Sequence, residues 1–136
     1  MDRELFEAAA TVRQRAHAPY SGFLVGAALR TGAGIIHAGC NVENAASPEG
    51  WCAETSAIAA MIAASSDPDD RVITGICVVA DRNDGNLTTP CGGCRQRIAE
   101  FAGPDTQVQV CDPGGEGRVF DLDELLPAAF GLEPSA

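Results

Sequence analysis

Ile73-Thr74-Gly75-Ile76-Cys77-Val78-Val79-Ala80 is apolar at nearly every position, so neither face of this segment reads as facing water. Such a strand sits inside a sheet that needs cover on both sides. The cover is legible outward from it. Upstream, Cys52 to Ala64 is rich in Ala, Ile and Met without Gly or Pro, and reads as a buried helix. Downstream, the polar stretch Asp81 to Pro90 leads into a second helix, Gly92 to Phe101. Nearer the N-terminus, Leu5, Ala8, Ala9, Val12 and Ala16 recur at helical spacing between Asp2 and about His17. Phe23 to Leu29 and Ile35 to Val42 flank the turn Thr31-Gly32-Ala33-Gly34 and read as a hairpin. Gln107 to Cys111 and a shorter Val119-Phe120 complete the strands, and Leu122 to Leu126 is a helical turn stopped by Pro127. The order predicts an α/β fold of three layers, α-β-α: a mixed sheet of about five strands with helices on both faces. No repeat or linker divides the chain, so residues 1–136 are expected to form one domain.

Nine basic residues against nineteen acidic ones give a net charge of −10, which repels phosphate backbones and favours a small neutral ligand over nucleic acid. No apolar run approaches a membrane span. Met1-Asp2-Arg3-Glu4 lacks the basic start of a signal peptide, so a cytoplasmic protein is expected. In that compartment six cysteines suggest thiols or metal ligands before disulfides.

Two short segments carry chemistry. Cys52-Ala53-Glu54 opens one helix, and Pro90-Cys91-Gly92-Gly93-Cys94 opens the next. A Cys-x-x-Cys pair can place both sulfurs on one metal, and Cys52 supplies a third thiolate if the two helix starts face each other. Three protein ligands leave the fourth tetrahedral position open for water, the catalytic pattern for zinc. Helix N-termini offset the excess negative charge of three thiolates and favour their ionisation. Glu54 lies beside the metal in sequence without binding it, where a carboxylate can move protons between water and a leaving amine. The competing readings are a structural zinc site completed by His17 or His37, and a redox pair; no strand leads directly into the Cys-x-x-Cys as the latter wants. Cys40, Cys77 and Cys111 lie in or at the ends of apolar strands and read as small hydrophobes.

The combination of three His/Cys ligands, a non-ligating Glu and P-C-x-x-C is a known signature of zinc deaminases. Along nearly its whole length the sequence resembles the small cytidine deaminase family. The likeness runs through Ala18-Pro19-Tyr20-Ser21-Gly22-Phe23 with Val25-Gly26-Ala27-Ala28-Leu29, and through Gly39-Cys40-Asn41-Val42-Glu43-Asn44-Ala45. It continues through both cysteine motifs (the second extended by Arg95-Gln96) and ends in Leu125-Leu126-Pro127 with Phe130-Gly131. The resemblance implies one zinc per chain on Cys52, Cys91 and Cys94, with Glu54 as proton shuttle. It implies that Asn41 and Glu43 hold the ribose hydroxyls and that Phe23 packs on the pyrimidine. The Ala53 N–H would bind the base carbonyl, and the Thr89 carbonyl would accept from the exocyclic amine. Phe130 would reach a neighbour's site in a homotetramer. The implied reaction is hydrolysis at carbon 4 of cytidine or 2′-deoxycytidine, a step of pyrimidine salvage. Strand alternation agrees in placing Asn41 and Glu43 on one side.

Three positions depart from the family pattern. Thr55 stands where many members place an Arg thought to balance thiolate charge, Ser47 where many have Tyr, and Trp51 is bulkier than usual. If Trp51 does not fill the space left at Ser47, cytidines substituted on the exocyclic nitrogen also fit. A polynucleotide substrate is disfavoured by the charge and by Glu43, whose grip on a free hydroxyl leaves no room for a phosphodiester. A nucleoside-antibiotic deaminase and a non-catalytic zinc-stabilised module are the remaining alternatives.

Overall fold

The computed structural model describes residues 1–134. Helix α1 (Arg3–Arg13) precedes strands β1 (Val25–Thr31) and β2 (Ile36–Cys40), then helix α2 (Ala53–Ala64). Strand β3 (Ile73–Ala80), helix α3 (Gly92–Phe101), strands β4 (Ala102–Cys111) and β5 (Gly117–Asp121) and the one-turn helix α4 (Leu122–Leu125) follow. The sheet order is β2-β1-β3-β4-β5. Only the β3–β4 junction is parallel; the other three are antiparallel. The mixed five-stranded sheet and its helical layers match the expectation. Among the described residues no helix is long and apolar enough to cross a membrane.

The period-2 alternation of the strands divides the core. Ala27, Leu29, Ile76, Val78, Val108 and Val110 face α2, α3 and α4, meeting Ala57, Met61, Ile98 and Leu125. Ala28, Cys77, Val79 and Cys111 face the other way, against Leu5 and Ala9 of α1. Each fully buried Ile or Val contributes about 1.5–3 kcal/mol relative to exposure. Two glycines let the helices ride close to the sheet. A Cβ on Gly26 would stand 2.0 Å from the Ala9 carbonyl oxygen of α1, and one on Gly39 would stand 2.4 Å from the Ala57 nitrogen of α2.

Several boundaries differ from the sequence reading. Helix α1 stops at Arg13 because the chain turns to pair His17 with the segment after β2. His17 N–H donates to the Asn41 carbonyl at 3.0 Å, and Glu43 N–H donates to the His17 carbonyl at 2.7 Å. Ladder pairing begins at Val25, not Phe23. Strand β4 starts at Ala102, but regular pairing with β3 begins at Gly75 opposite Gln107, across an irregularity that takes up Gly103 to Thr106. The expected start at Gln107 therefore marks where the ladder becomes regular.

The topology sets the site. Helix α3 leaves the carboxyl end of β3 to begin the crossover to the parallel β4. Helix α2 runs back into the start of β3, so its own N-terminus lies over that same carboxyl end. The N-termini of α2 and α3 thus meet where open α/β sheets bind ligands.

Candidate active site

Cys52 and Cys91 are the N-cap residues of α2 and α3, and neither thiol caps its helix. The first-turn N–H groups of both helices are left to act on the shared space between them. Cys94, one turn into α3, is fully buried. The sulfurs of Cys52, Cys91 and Cys94 all lie within 4.8 Å of one another, and Cys52 Sγ is 3.9 Å from Cys91 Sγ. Tetrahedral zinc at Zn–S bonds of about 2.3 Å wants sulfurs about 3.8 Å apart. The donor set and its spacing fit zinc, with three ligands and one position left over. Neither His17 nor His37 belongs to the cluster, which disfavours a closed structural site. In the thiol pair, the neighbouring Cys94 pulls Cys52 below the usual thiol range, and Cys52 pushes Cys94 above it, burial adding to the latter.

A cavity of about 590 Å³ opens beside this cluster. Cys52, Ala53 and Glu54 from α2, Thr88 to Cys91 from the loop before α3, Phe23 and Asn41 to Ala45 all line it. Glu54 is 3% exposed, and burial pushes its carboxyl above the usual carboxylate range, against the opposing pull of Cys94 and Arg97. A carboxyl so placed is suited to receive and return a proton.

A short ladder beyond β2 brings the walls together. Val42 and Trp51 exchange backbone N–H···O bonds of 3.0 Å each, which places Cys52 next to the strand carrying Asn41 and Glu43. Both of these side chains line the cavity, as alternation predicts, although β2 itself ends at Cys40. Both are already held by the chain. Asn41 Nδ2 donates to the Phe23 carbonyl at 2.9 Å, and its Oδ1 accepts from Val25 N–H at 2.8 Å. Glu43 accepts from the Ser21 hydroxyl at 2.5 Å and from the N–H groups of Tyr20 and Ser21. The Ser21 hydroxyl bond, with those N–H groups, holds the Glu43 carboxyl below its ordinary range, so it is an anion ready to accept hydroxyl hydrogens.

Of the ten residues named from sequence, nine meet here: the three cysteines, Glu54, Phe23, Asn41, Glu43, Ala53 and Thr89. Phe130 does not line this cavity. It is 70% exposed, and its carbonyl accepts from Gln96 Nε2 at 3.0 Å. Sequence reasoning missed the supporting residues. Arg95 donates to the carbonyls of Pro90 and Leu125 at 2.7 Å each and to Thr89 Oγ1 at 2.9 Å, so one side chain ties the zinc loop to the C-terminal turn. Trp51 Nε1 donates to Ser56 Oγ at 2.8 Å, and Ser56 in turn donates to the Cys40 carbonyl at 2.8 Å. A signal was present for Arg95, which directly follows a ligand.

Comparison with known proteins agrees with this geometry. Residues 1–110 match the family model described as the cytidine and deoxycytidylate deaminase zinc-binding region. The chain is 40% identical to a cytidine deaminase of Halalkalibacterium halodurans, over 98% of this chain and 97% of that one. It is 41% identical to a cytidine deaminase of Sporosarcina psychrophila, over 89% and 85% respectively. The crystal structure of cytidine deaminase from Burkholderia pseudomallei superposes with a TM-score of 0.85 at 40% identity, covering 96% of this chain and 99% of that one. With three thiols converging as zinc requires and a family match reaching past all of them, the chain belongs to the zinc-binding cytidine and deoxycytidylate deaminase family.

Proposed function

We propose that this protein hydrolyses cytidine and 2′-deoxycytidine to uridine and 2′-deoxyuridine with release of ammonia, using one zinc per chain. The observation that carries the reading is the buried Glu54 in the wall of a cavity shared with the convergent Cys52, Cys91 and Cys94. Relatives named cytidine deaminase at 40% and 41% identity support the choice of substrate.

Zinc on the three thiolates supplies a Lewis acid able to bring the pKa of a water close to neutrality. Glu54 takes one proton of the attacking water and passes it to ring nitrogen 3 as the oxygen bonds to carbon 4. It then moves the second proton to the exocyclic amine; the carbon 4–nitrogen bond breaks, ammonia leaves and the carbonyl forms. The Ala53 N–H orients the base through its carbonyl, the Thr89 carbonyl accepts from the amine, and Phe23 packs on the ring. Asn41 and Glu43 hold the ribose. The test follows ammonia release and loss of cytidine absorbance together. Glu54→Gln keeps zinc and loses at least about 10²-fold in rate, the low end for general acid–base catalysis. No turnover of any pyrimidine nucleoside by zinc-loaded protein favours the non-catalytic module. Turnover of a nucleoside antibiotic alone favours that rival.

Residues 1–136 act as one catalytic domain in the cytoplasm, in pyrimidine salvage. Phe130, outside its own cavity, supports completion of each site by a neighbour in a homotetramer; a fully active monomer in sedimentation at assay concentration contradicts this.

One observation favours a wider substrate range. Trp51 is 54% exposed and its indole is pinned to Ser56 on α2, so it is not free to repack across the space that Ser47 leaves in the same wall. Cytidines with small groups on the exocyclic nitrogen are then accepted beside cytidine, since apolar pockets discriminate by only about 1–3 kcal/mol per methylene. The measurement is kcat/KM for cytidine and its N-methyl and N-acetyl forms in the wild type and Ser47→Tyr; inert substituted forms in both end the idea.

A further inference from the structure

We infer that Arg97 is the cation that balances the charge of the zinc site, acting from α3 in place of a cation at position 55. The inference rests on the zinc reading above. Three thiolates and a divalent zinc sum to one negative charge, and the N-termini of α2 and α3 offset it only partly. Thr55 brings a neutral hydroxyl to 4.0 Å from Cys94 Sγ. Arg97 Nη1 lies 3.6 Å from the same sulfur and donates to it. Cys94 and Arg97 are one helical turn apart, so the sequence itself puts them on one face. The neighbouring position leaves the guanidinium its space: a Cβ at Gly93 would stand 3.1 Å from Arg97 Nη1.

The nearby alternative is occupied. Arg95 spends its three nitrogens on the Pro90 and Leu125 carbonyls and on Thr89. Among the described residues no other Arg donates to Cys52, Cys91 or Cys94. A cation on Cys94 draws electron density from that sulfur and leaves the metal a stronger Lewis acid. Arg97 is therefore a positioning residue that acts through a ligand and has no need to touch the substrate.

The test uses the cobalt(II)-substituted protein, whose sulfur-to-metal charge-transfer band reports on the ligands directly. Loss of the cation raises the energy of the sulfur lone pair, so R97Q shifts the band to longer wavelength. R97K lies between R97Q and the wild type, and R97Q/T55R, which returns a cation from α2, moves the band back. With zinc, R97Q loses about 10- to 100-fold in kcat, the range for residues that support metal ligands, with a smaller change in KM. An R97Q band coincident with the wild type overturns the inference. So does an R97Q/T55R band that stays with R97Q. If R97Q fails to hold cobalt, R97K decides: it keeps the metal if Arg97 acts through charge and loses it if the guanidinium is only a structural prop. Failure of the wild type to bind cobalt sinks the metal reading itself, whereas an unshifted band in a cobalt-loaded R97Q sinks this inference alone.

Discussion

The Asn41 amide fixes the backbone on both sides of Leu24, donating to the Phe23 carbonyl at 2.9 Å and accepting from the N–H of Val25 at 2.8 Å. Asn41→Ala removes both bonds and leaves partly buried backbone groups unpaired. The expected cost is about 1–3 kcal/mol. Urea unfolding reads it as a lower midpoint at an unchanged slope. KM for the nucleoside rises as well, because Phe23 loses its anchor. A variant as stable as the wild type would remove Asn41 from this role.

Cys91→Ala leaves two thiols, one on each helix, which do not hold zinc tightly. Metal binding to such a site is also folding free energy, so metal content and thermal stability fall together. Metal analysis beside a thermal melt checks this. Full zinc occupancy in Cys91→Ala contradicts the assignment of the ligand set.

Arg95→Gln cuts the tie between the loop at Thr89-Pro90, whose next residue is Cys91, and the carbonyl of Leu125. Hydrogen bonds from a charged donor contribute about 1.5–3 kcal/mol, so a loss of this size is expected. Amide exchange should rise at the start of α3 and around α4 before it rises in β1 or β3. Uniform protection across the chain in the variant would contradict a local tether.

Asp2 caps α1 through Leu5 N–H and pairs with Arg30 Nε at 3.0 Å. The Arg30 side-chain hydrogen bond, more than the cap, holds the Asp2 carboxyl below the ordinary range. A carboxyl lowered in the folded state stabilises above its unfolded pKa of about 3.9 and loses that contribution as pH falls through the folded value. Asp2→Asn keeps a cap and removes the charge. The stability gap between wild type and variant is expected to stay below about 1 kcal/mol for so exposed a pair. It is constant above about pH 5 and closes in stronger acid. A gap that widens on acidification reverses the sign and rejects the pairing.

The parts legible in the sequence are those set by short-range pattern. Ile73 to Ala80 declared its two buried faces, and Cys52 and the Cys91/Cys94 pair declared a metal by residue type and spacing. The missed features depend on which partner a side chain meets in the folded chain. Nothing local in Ser21 says that its hydroxyl meets Glu43, twenty-two residues away. Trp51 was legible as bulk, but its direction is set by Ser56, itself tied to the carbonyl of Cys40. Helix α1 ended early for a similar reason: His17 is claimed by a backbone ladder whose other members are Val42 and Trp51.

The glycine at position 39 works as a depth gauge. Helix α2 rests on β2 with the backbone at Ser56 and Ala57 where a methyl on Gly39 would have to be. Alanine there would shim the helix outward and carry Cys52 and Glu54 with it, while Cys91 and Cys94 stay with α3. The metal tolerates little of this, since bond lengths of about 2.3 Å leave no slack for a displaced sulfur. A substitution that touches neither ligand nor substrate would then show up as an enzyme unable to keep its zinc. Selection on the chemistry reaches, through one rigid helix, to a single hydrogen atom on a strand.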